Sequence, residues 1–353
     1  MKNMKTTQSD NLKTWKKKLT CFLRDPLFLS RWVDPLYFHR ERNRLSVSSY
    51  NIDSRSRWYP YERDISMFVE DMHNGIMPFT HIHREDSQFA VRLDPPREGL
   101  EAVIAEALGG KRRQWDLPDA LCDFIREASQ SLFFYGKLVY EILCETDSKG
   151  AISKFSFISV PPLSVKRVFG VGIQVIPWWV AKHSHIKVGI YRIPKKKMLY
   201  LEFPQRLGGR KGLKKILKRL DVLSKQLIPE FQMEAMKEQR NIGFDINKYV
   251  RAKYLEKAQI TRRLGWNQRK VPEKELLEYY SLYRRLNFAL SQAIVREHIL
   301  ETVNQSLNGS LLNLGTRIVI DGIPSSKQIE AQFPVLKAGN LEFTALFKIT
   351  SII

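Results

Sequence analysis

Residues 133–160 read FFYGKLVYEILCETDSKGAISKFSFISV, and this stretch decides the fold. Its first residues continue an apolar helical pattern that ends at Gly136. Two runs of strand-forming residues follow, separated by a polar turn in which Gly150 can adopt a positive φ. The order of helix, glycine, strand, turn and strand predicts a mixed α/β lobe.

Apolar periodicity extends this lobe in both directions along the chain. Helical spacing dominates before the quoted stretch, where Asp116 is placed to cap the helix that leads into it. Alternating apolar residues dominate after it. The predicted helices cover 62–75, 100–110 and 117–132, the predicted strands cover 88–93, 165–169, 174–176, 186–191 and 198–203, and a charged, glycine-containing loop covers 205–212.

The second half of the chain is predicted to be mostly helical. Apolar stripes indicate helices over 213–231, 245–264 and 272–308, the last of them roughly 50 Å long. A short strand at 317–320 and a helix at 328–336 complete the pattern. The chain is therefore expected to have an α+β fold, in which a mixed α/β lobe precedes long helices that form an extended element or a bundle.

Charge is the most unusual property of the composition. The 353 residues include 58 Lys and Arg against 37 Asp and Glu, which gives a formal net charge of +21. Such an excess attracts nucleic acid, an acidic protein or an acidic membrane surface, and the alternative is a solvated basic surface without a specific partner.

The apolar runs and the cysteines further limit the class of protein to which the chain can belong. No apolar run reaches the roughly 18 residues that a membrane-spanning helix needs, so we expect a soluble protein. The cysteines Cys21, Cys122 and Cys144 have no paired spacing. They argue against a disulfide framework, and a reducing compartment is expected.

The densest positive region lies between residues 195 and 219. Its helical part places cations opposite an apolar stripe, and such a face can neutralise nucleic-acid phosphates with little sequence choice. A solvated helix face is the alternative interpretation. The candidate DNA-contacting residues are Lys195, Lys196, Lys197, Arg210, Lys211, Lys214, Lys215, Lys218 and Arg219.

A second basic patch runs from Arg251 to Lys270, with Tyr249 just before it and Tyr254 and Trp266 within it. Aromatic rings between cations suit stacking on single strands. At helical spacing, however, such rings more often belong to hydrophobic cores.

No catalytic motif is present in the sequence. The glycines of 208–212 precede a helix, but no Gly-Lys-Ser/Thr follows them, so they do not form a phosphate-binding P-loop. The histidine pairs His81/His83 and His183/His185 could each chelate a metal, yet no third ligand stands at a diagnostic spacing. We therefore predict no enzyme activity, no catalytic residues, no metal site and no cofactor.

Over about residues 60–345 the chain resembles the portal (head–tail connector) family of tailed phages. Residues 117–142 are similar to the family's helix, glycine, aromatic residue and Glu-Ile, and they lead to Pro161-Pro162. Residues 193–213 resemble its passage of Ile-Pro, strand, glycine loop and long helix. The helix to Asn308, the strand after it and Ala338-Gly339 resemble the segment that some portal branches carry after their long inner helix.

This resemblance implies a homo-oligomeric ring of about a dozen subunits at one capsid vertex. Double-stranded DNA would pass through the ring, driven by the terminase large subunit, and capsid and head–tail adaptor proteins would be further partners. The protein would lie in the virion, and in the host cytoplasm during assembly. Its role would be mechanical and electrostatic rather than enzymatic.

The chain is expected to divide into four segments. The composition predicts a basic, loosely ordered N-terminal arm over residues 1–60, and the periodicity predicts a strand–helix C-terminal segment over 309–353. The resemblance implies an α/β wing-like domain over 61–212 and a helical stem- and clip-like region over 213–308.

Two other functions remain open from the sequence. The first is a basic nucleic-acid-binding protein that acts as a monomer or dimer. The second is a metal-dependent nuclease built on the histidine pairs.

Overall fold

The computed structural model describes residues 63–78, 89–109, 116–146, 152–176, 189–225, 246–266, 268 and 278–341. These ranges contain both helices and strands, so the predicted α+β class is confirmed. The helices are α1 (Arg63–Asn74), α2 (Leu100–Gly109), α3 (Leu117–Tyr135), α4 (Gly209–Lys225), α5 (Ile246–Ile260), α6 (Glu278–Leu307), α7 (Ser326–Glu330) and α8 (Gln332–Lys337). The strands are β1 (Ala90–Asp94), β2 (Lys137–Thr146), β3 (Ile152–Ser159), β4 (Val165–Val168), β5 (Val171–Ile176), β6 (Gly189–Ile193), β7 (Met198–Glu202) and β8 (Arg317–Asp321).

Most of the predicted elements are confirmed to within a few residues. Helix α3 has the predicted cap, because the backbone N–H of Asp119 donates to Oδ1 of Asp116 at 3.1 Å. The helix predicted over 328–336 was wrong as a single element, because it is divided at Ala331 into α7 and α8. The turn at 147–150 and the N-terminal 60 residues lie outside the described residues.

The described strands form three small sheets. Strand β1 pairs antiparallel with β8, from Ala90↔Asp321 to Asp94↔Arg317. Strands β4, β5 and β6 form a meander in that order, and a third sheet has the order β3-β2-β7. The predicted hairpin of the quoted stretch therefore corresponds to β2 and β3.

The contacts divide the chain into two compact units. In the described ranges, the larger unit takes its residues from Ser54–Leu138, Cys144–Phe157 and Tyr200–Ile353. The smaller unit consists of Val139–Leu143 and residues from Ile158–Leu199, which include the β4-β5-β6 meander.

Helix α6 lies at the centre of the larger unit. It packs against α1, α3, α7, α8 and β8, and its residues 291–296 are buried without interruption. A helix that is covered on every side is a core element rather than a free-standing rod. Of the two predicted arrangements, the described part of this helix fits a bundle.

Aromatic side chains connect the helices of this core. The ring of Phe68 lies 5.4 Å from Trp266 and 6.2 Å from Phe133, and Phe133 lies 5.5 Å from Phe203. These near-perpendicular contacts join α1, α3, the end of β7 and the segment after α5.

No helix in the described parts of the chain is long and apolar enough to cross a membrane.

Candidate nucleic-acid interface

The basic helix α4 begins at Gly209, four residues before the apolar stripe that predicts it. The predicted loop over 205–212 was therefore wrong in its second half. Gly208 and Gly209 have φ values of 106° and 62°, which let the chain turn sharply after a short 3₁₀ turn. The carbonyl of Gly208 then accepts from the N–H of Gly212 at 3.1 Å, as in a helix start.

One face of α4 is buried and the other is exposed and basic. Leu213, Leu217 and Leu220 belong to the buried stripe. The cations on the other side are exposed, with the exception of Arg210, whose side chain is half-buried. The five exposed cations, called the α4 basic face, are Lys211, Lys214, Lys215, Lys218 and Arg219.

A buried ionic cluster holds α4 in place. Nζ of Lys257 on α5 lies 2.6 Å from Oδ1 of Asp64 on α1, and both side chains are largely buried. Oγ of Ser224, near the end of α4, donates to Oδ2 of the same carboxylate at 3.0 Å. One carboxylate therefore ties three helices together and fixes the rotation of α4.

An open cleft of about 600 Å³ borders the α4 basic face. Gly212 and Ile216 of α4 line it, so Lys215 and Arg219, three or four residues away on the helix, lie at its edge. Its other walls come from the end of α5 and from α6. Its apolar lining includes Ile216, Leu290 and Ile294, and its cationic lining consists of Arg206, Arg262 and Arg263.

The arginines of the cleft are partly held by the protein itself. Arg206 forms an ion pair with Glu330. Arg263 donates from Nη2 to the carbonyl of Arg206 at 3.1 Å, and the carbonyl of Arg262 accepts from Asn287 at 3.3 Å. Arg262 and Arg263 lie in the second basic patch of the sequence, and no local pattern connects them with α4, because 36 residues separate Arg262 from the end of that helix.

Lys195, Lys196 and Lys197 form an exposed 3₁₀ turn in the smaller unit. The predicted set of nine cations is thus divided, since the three lysines belong to one unit and the residues of α4 to the other.

The stacking interpretation of the second patch was wrong for the two rings that the structure describes. Trp266 is only 1% exposed, and its Nε1 donates to Oδ2 of Asp71 at 2.8 Å. Tyr254 is 9% exposed and lies in the same core. Both rings stabilise the larger unit and are closed to a nucleic-acid base.

The histidine pairs His81/His83 and His183/His185 lie outside the described residues. Within the parts of the chain that the structure describes, no group of three His, Cys, Asp or Glu side chains could hold a metal ion. The metal-dependent nuclease therefore gains no support from the described geometry.

The described geometry suits non-covalent binding of a polyanion. The α4 basic face offers five exposed cations along about 12 Å of helix. One strand of duplex DNA carries a phosphate about every 3.4 Å along the axis, so the face can meet several phosphates at once.

No protein-family model matches the chain, and no curated protein matches it in sequence.

Proposed function

We propose that this chain is the subunit of a portal-type ring that guides double-stranded DNA at a capsid vertex. The observation that carries the proposal is the α4 basic face, which is exposed and belongs to a helix that Ser224 ties to the Asp64–Lys257 pair. Phosphate contacts of this kind can be numerous and do not depend on the DNA sequence. The passage of a whole genome requires contacts that are independent of sequence.

The order of the elements supports the same proposal. Helix α3 ends at Gly136 and leads into β2 and β3, and β7 leads through a short turn into α4. The long helix α6 and the strand β8 then follow. This is the order of the passages that resemble portal proteins.

Exposed apolar side chains on the helices of the larger unit supply a surface for neighbouring subunits. Val222 on α4, Val250 and Leu255 on α5, and Tyr279 on α6 are between 47% and 58% exposed. The subunits of a ring are joined by heterologous contacts, in which one patch of a subunit meets a different patch of its neighbour. The ring closes when the rotation from each subunit to the next adds up to a full turn. In this role the terminase large subunit, the capsid and a head–tail adaptor are the proposed partners, and the virion is the proposed location.

Particle size tests the ring. Mass photometry and negative-stain images of the purified protein should show rings of about a dozen subunits. A protein that stays monomeric at the highest soluble concentration would contradict the ring proposal.

A second candidate is a nucleic-acid-binding protein that works as a monomer or dimer. The net charge of +21 and the α4 basic face favour it as well. A small particle that binds duplex DNA with a steep salt dependence would assign this function in place of the ring.

A further inference from the structure

The hairpin of β4 and β5 carries a fully exposed aromatic ring at its tip. Only Phe169 and Gly170 connect the two strands, after the pair Val168↔Val171. Their φ values of 47° and 80° are both positive, as a type I′ turn requires. Positive φ is unfavourable for a bulky residue, and Phe169 is 102% exposed. No packing against the described residues of the smaller unit compensates the strain, and strained residues are frequent where a protein binds a ligand or partner.

Cations surround this tip. The side chain of Lys195 lies against the turn, 3.3 Å from the position that a Cβ on Gly170 would take. Lys166 and Arg192 flank Ile173 in one cross-strand row, because both pair with that residue. Among the described residues of the smaller unit, Glu141 is the one carboxylate. The exposed cations of the unit are Lys166, Arg167, Arg192, Lys195, Lys196 and Lys197.

This charge decides which partner fits the exposed ring. A second copy of the chain does not fit this tip through its cleft, because the cations around the tip would face the arginines that line the cleft of the larger unit. An apolar ring among cations suits a polyanion that also presents flat apolar surfaces. Nucleic-acid bases meet both requirements.

The single ring favours unpaired bases over paired ones. A base that stacks on one aromatic side chain contributes about as much as the unstacking of one duplex step costs. A lone ring therefore gains little on an intact duplex but gains the full stacking contribution on a strand whose bases are already free. The α4 basic face has no exposed aromatic residue and should not make this distinction.

We propose that the β4–β5 hairpin tip is a second nucleic-acid site, in which Phe169 stacks on an unpaired base while Lys195 and its neighbours neutralise the adjacent phosphates. The proposal rests on the nucleic-acid part of the proposed function and does not depend on the assembly of subunits into an oligomeric ring. It gives the protein a way to distinguish single-stranded or melted DNA from duplex.

The test compares two substitutions at the same position. Phe169→Asn removes the ring and creates Asn-Gly, the preferred pair for a type I′ turn, so the hairpin should fold at least as well. Phe169→Tyr retains a ring. Binding of the full-length protein to a labelled single-stranded oligonucleotide and to the matching duplex is measured by fluorescence anisotropy at one salt concentration.

The expected result is a loss of affinity for the single strand that is not accompanied by a loss of affinity for the duplex. Phe169→Asn should bind the single strand roughly 5- to 100-fold more weakly and the duplex within about twofold of the wild type. Phe169→Tyr should bind both as the wild type does. Oligonucleotides with a photoreactive iodouracil should crosslink to Phe169, as mass spectrometry of the peptides would show.

Other outcomes separate the hairpin site from the proposed function. Unchanged single-strand binding by Phe169→Asn, or an equal loss for single strand and duplex, would overturn the hairpin proposal alone. If Phe169→Asn weakened the binding of polyglutamate as much as it weakened the binding of the single strand, the tip would be assigned to an acidic protein and the hairpin proposal would be overturned too. If the wild type bound neither form of DNA at low salt, both proposals would fail.

Discussion

A methyl group at residue 265 would collide with the backbone of the long helix α6. Gly265 has a φ of 71°, and a Cβ placed there would meet the backbone N of Phe288 and come within 2.6 Å of the carbonyl O of Arg284. Main-chain atoms in a buried helix cannot move aside separately. The close approach of the two segments therefore depends on this residue having no side chain.

Substitution of Gly265 by alanine should lower the free energy of unfolding by about 3 kcal/mol or more, because it adds backbone strain and steric overlap. Gly99 provides a matched control, since its φ is 73° and nothing lies within 4 Å of an added Cβ. Gly99→Ala should cost about 1 kcal/mol, the strain alone. Urea unfolding measures both values, and equal losses would show that the overlap with α6 is not important.

His73 makes the larger unit sensitive to acid. Burial lowers the pKa of His73 from 6.5 to about 4, with Glu70 raising it and Arg126 lowering it to smaller extents. Neither ring nitrogen has a hydrogen-bond partner among the described residues. The unfolded chain therefore takes up a proton at a pH where the folded protein resists it.

The stabilisation from neutral His73 should be complete above pH 6.5 and decrease as the pH falls toward 4, by about 3 kcal/mol in total. His73→Phe should remove this part of the acid dependence while unfolding near pH 7 stays similar. Urea unfolding of both proteins at a series of pH values tests the prediction. Parallel stability curves for the two proteins would contradict it.

At the scale of single elements, the position of α4 depends on the cluster of Asp64, Ser224 and Lys257. Lys257→Met would leave the carboxylate of Asp64 largely buried and without its cation, which should cost about 3 kcal/mol. Adding Asp64→Asn should restore part of that loss, because the neutral amide needs no counter-ion and can still accept from Ser224. A double-mutant cycle in urea measures the coupling, and additive losses would contradict a direct interaction.

The α4 basic face should set the salt dependence of DNA binding. Replacing Lys214 and Lys218 by glutamine should reduce the slope of log K against log salt for duplex DNA by about 1.8, because two phosphate contacts are lost. The matched control replaces Lys327 and Lys337, exposed lysines of α7 and α8, and changes the net charge equally. An equal change of slope in both variants would indicate a general charge effect rather than contact by α4.

The sequence predicted most elements of this fold because their signals are local. The stripe of Leu213, Leu217 and Leu220 and the cap at Asp116 can be recognised within one or two helical turns. The start of α4 could not be recognised in this way, because paired glycines are more typical of a loop than of a helix start. Nor could the pairing of Asp64 with Lys257 across 193 residues be found in one sequence, since no local pattern marks it.

The candidate site was predicted in part. The lysines of α4 were correctly placed opposite the apolar stripe, and the core interpretation of Tyr254 and Trp266 is confirmed, because both rings are buried. Charge and amphipathic spacing are visible in a sequence, but burial depends on which helix covers the ring. The conformation of Phe169 also had no reliable signal, because Phe is an uncommon residue at a positive φ.

At the scale of the whole molecule, assembly should depend on the exposed apolar residues of α5. Replacing Val250 and Leu255 by glutamine should reduce the fraction of large particles in mass photometry, because an interface loses apolar area. The free energy of unfolding of the subunit should change by less than about 0.5 kcal/mol for each exposed position. Unchanged particle size would place the subunit contact elsewhere.

The pairing of β1 with β8 has a consequence for how the protein is made. Arg92 and Asp321, which join the two strands through a 2.7 Å ion pair, are 229 residues apart. A ribosome that adds about 5–20 residues per second needs about 10 to 45 seconds between the two. During that time β1 has been synthesised but its partner strand β8 has not, so a nascent or prematurely terminated polypeptide cannot complete this sheet. We therefore expect unfinished chains to be recognisable to chaperones and proteases before they can be incorporated into a particle.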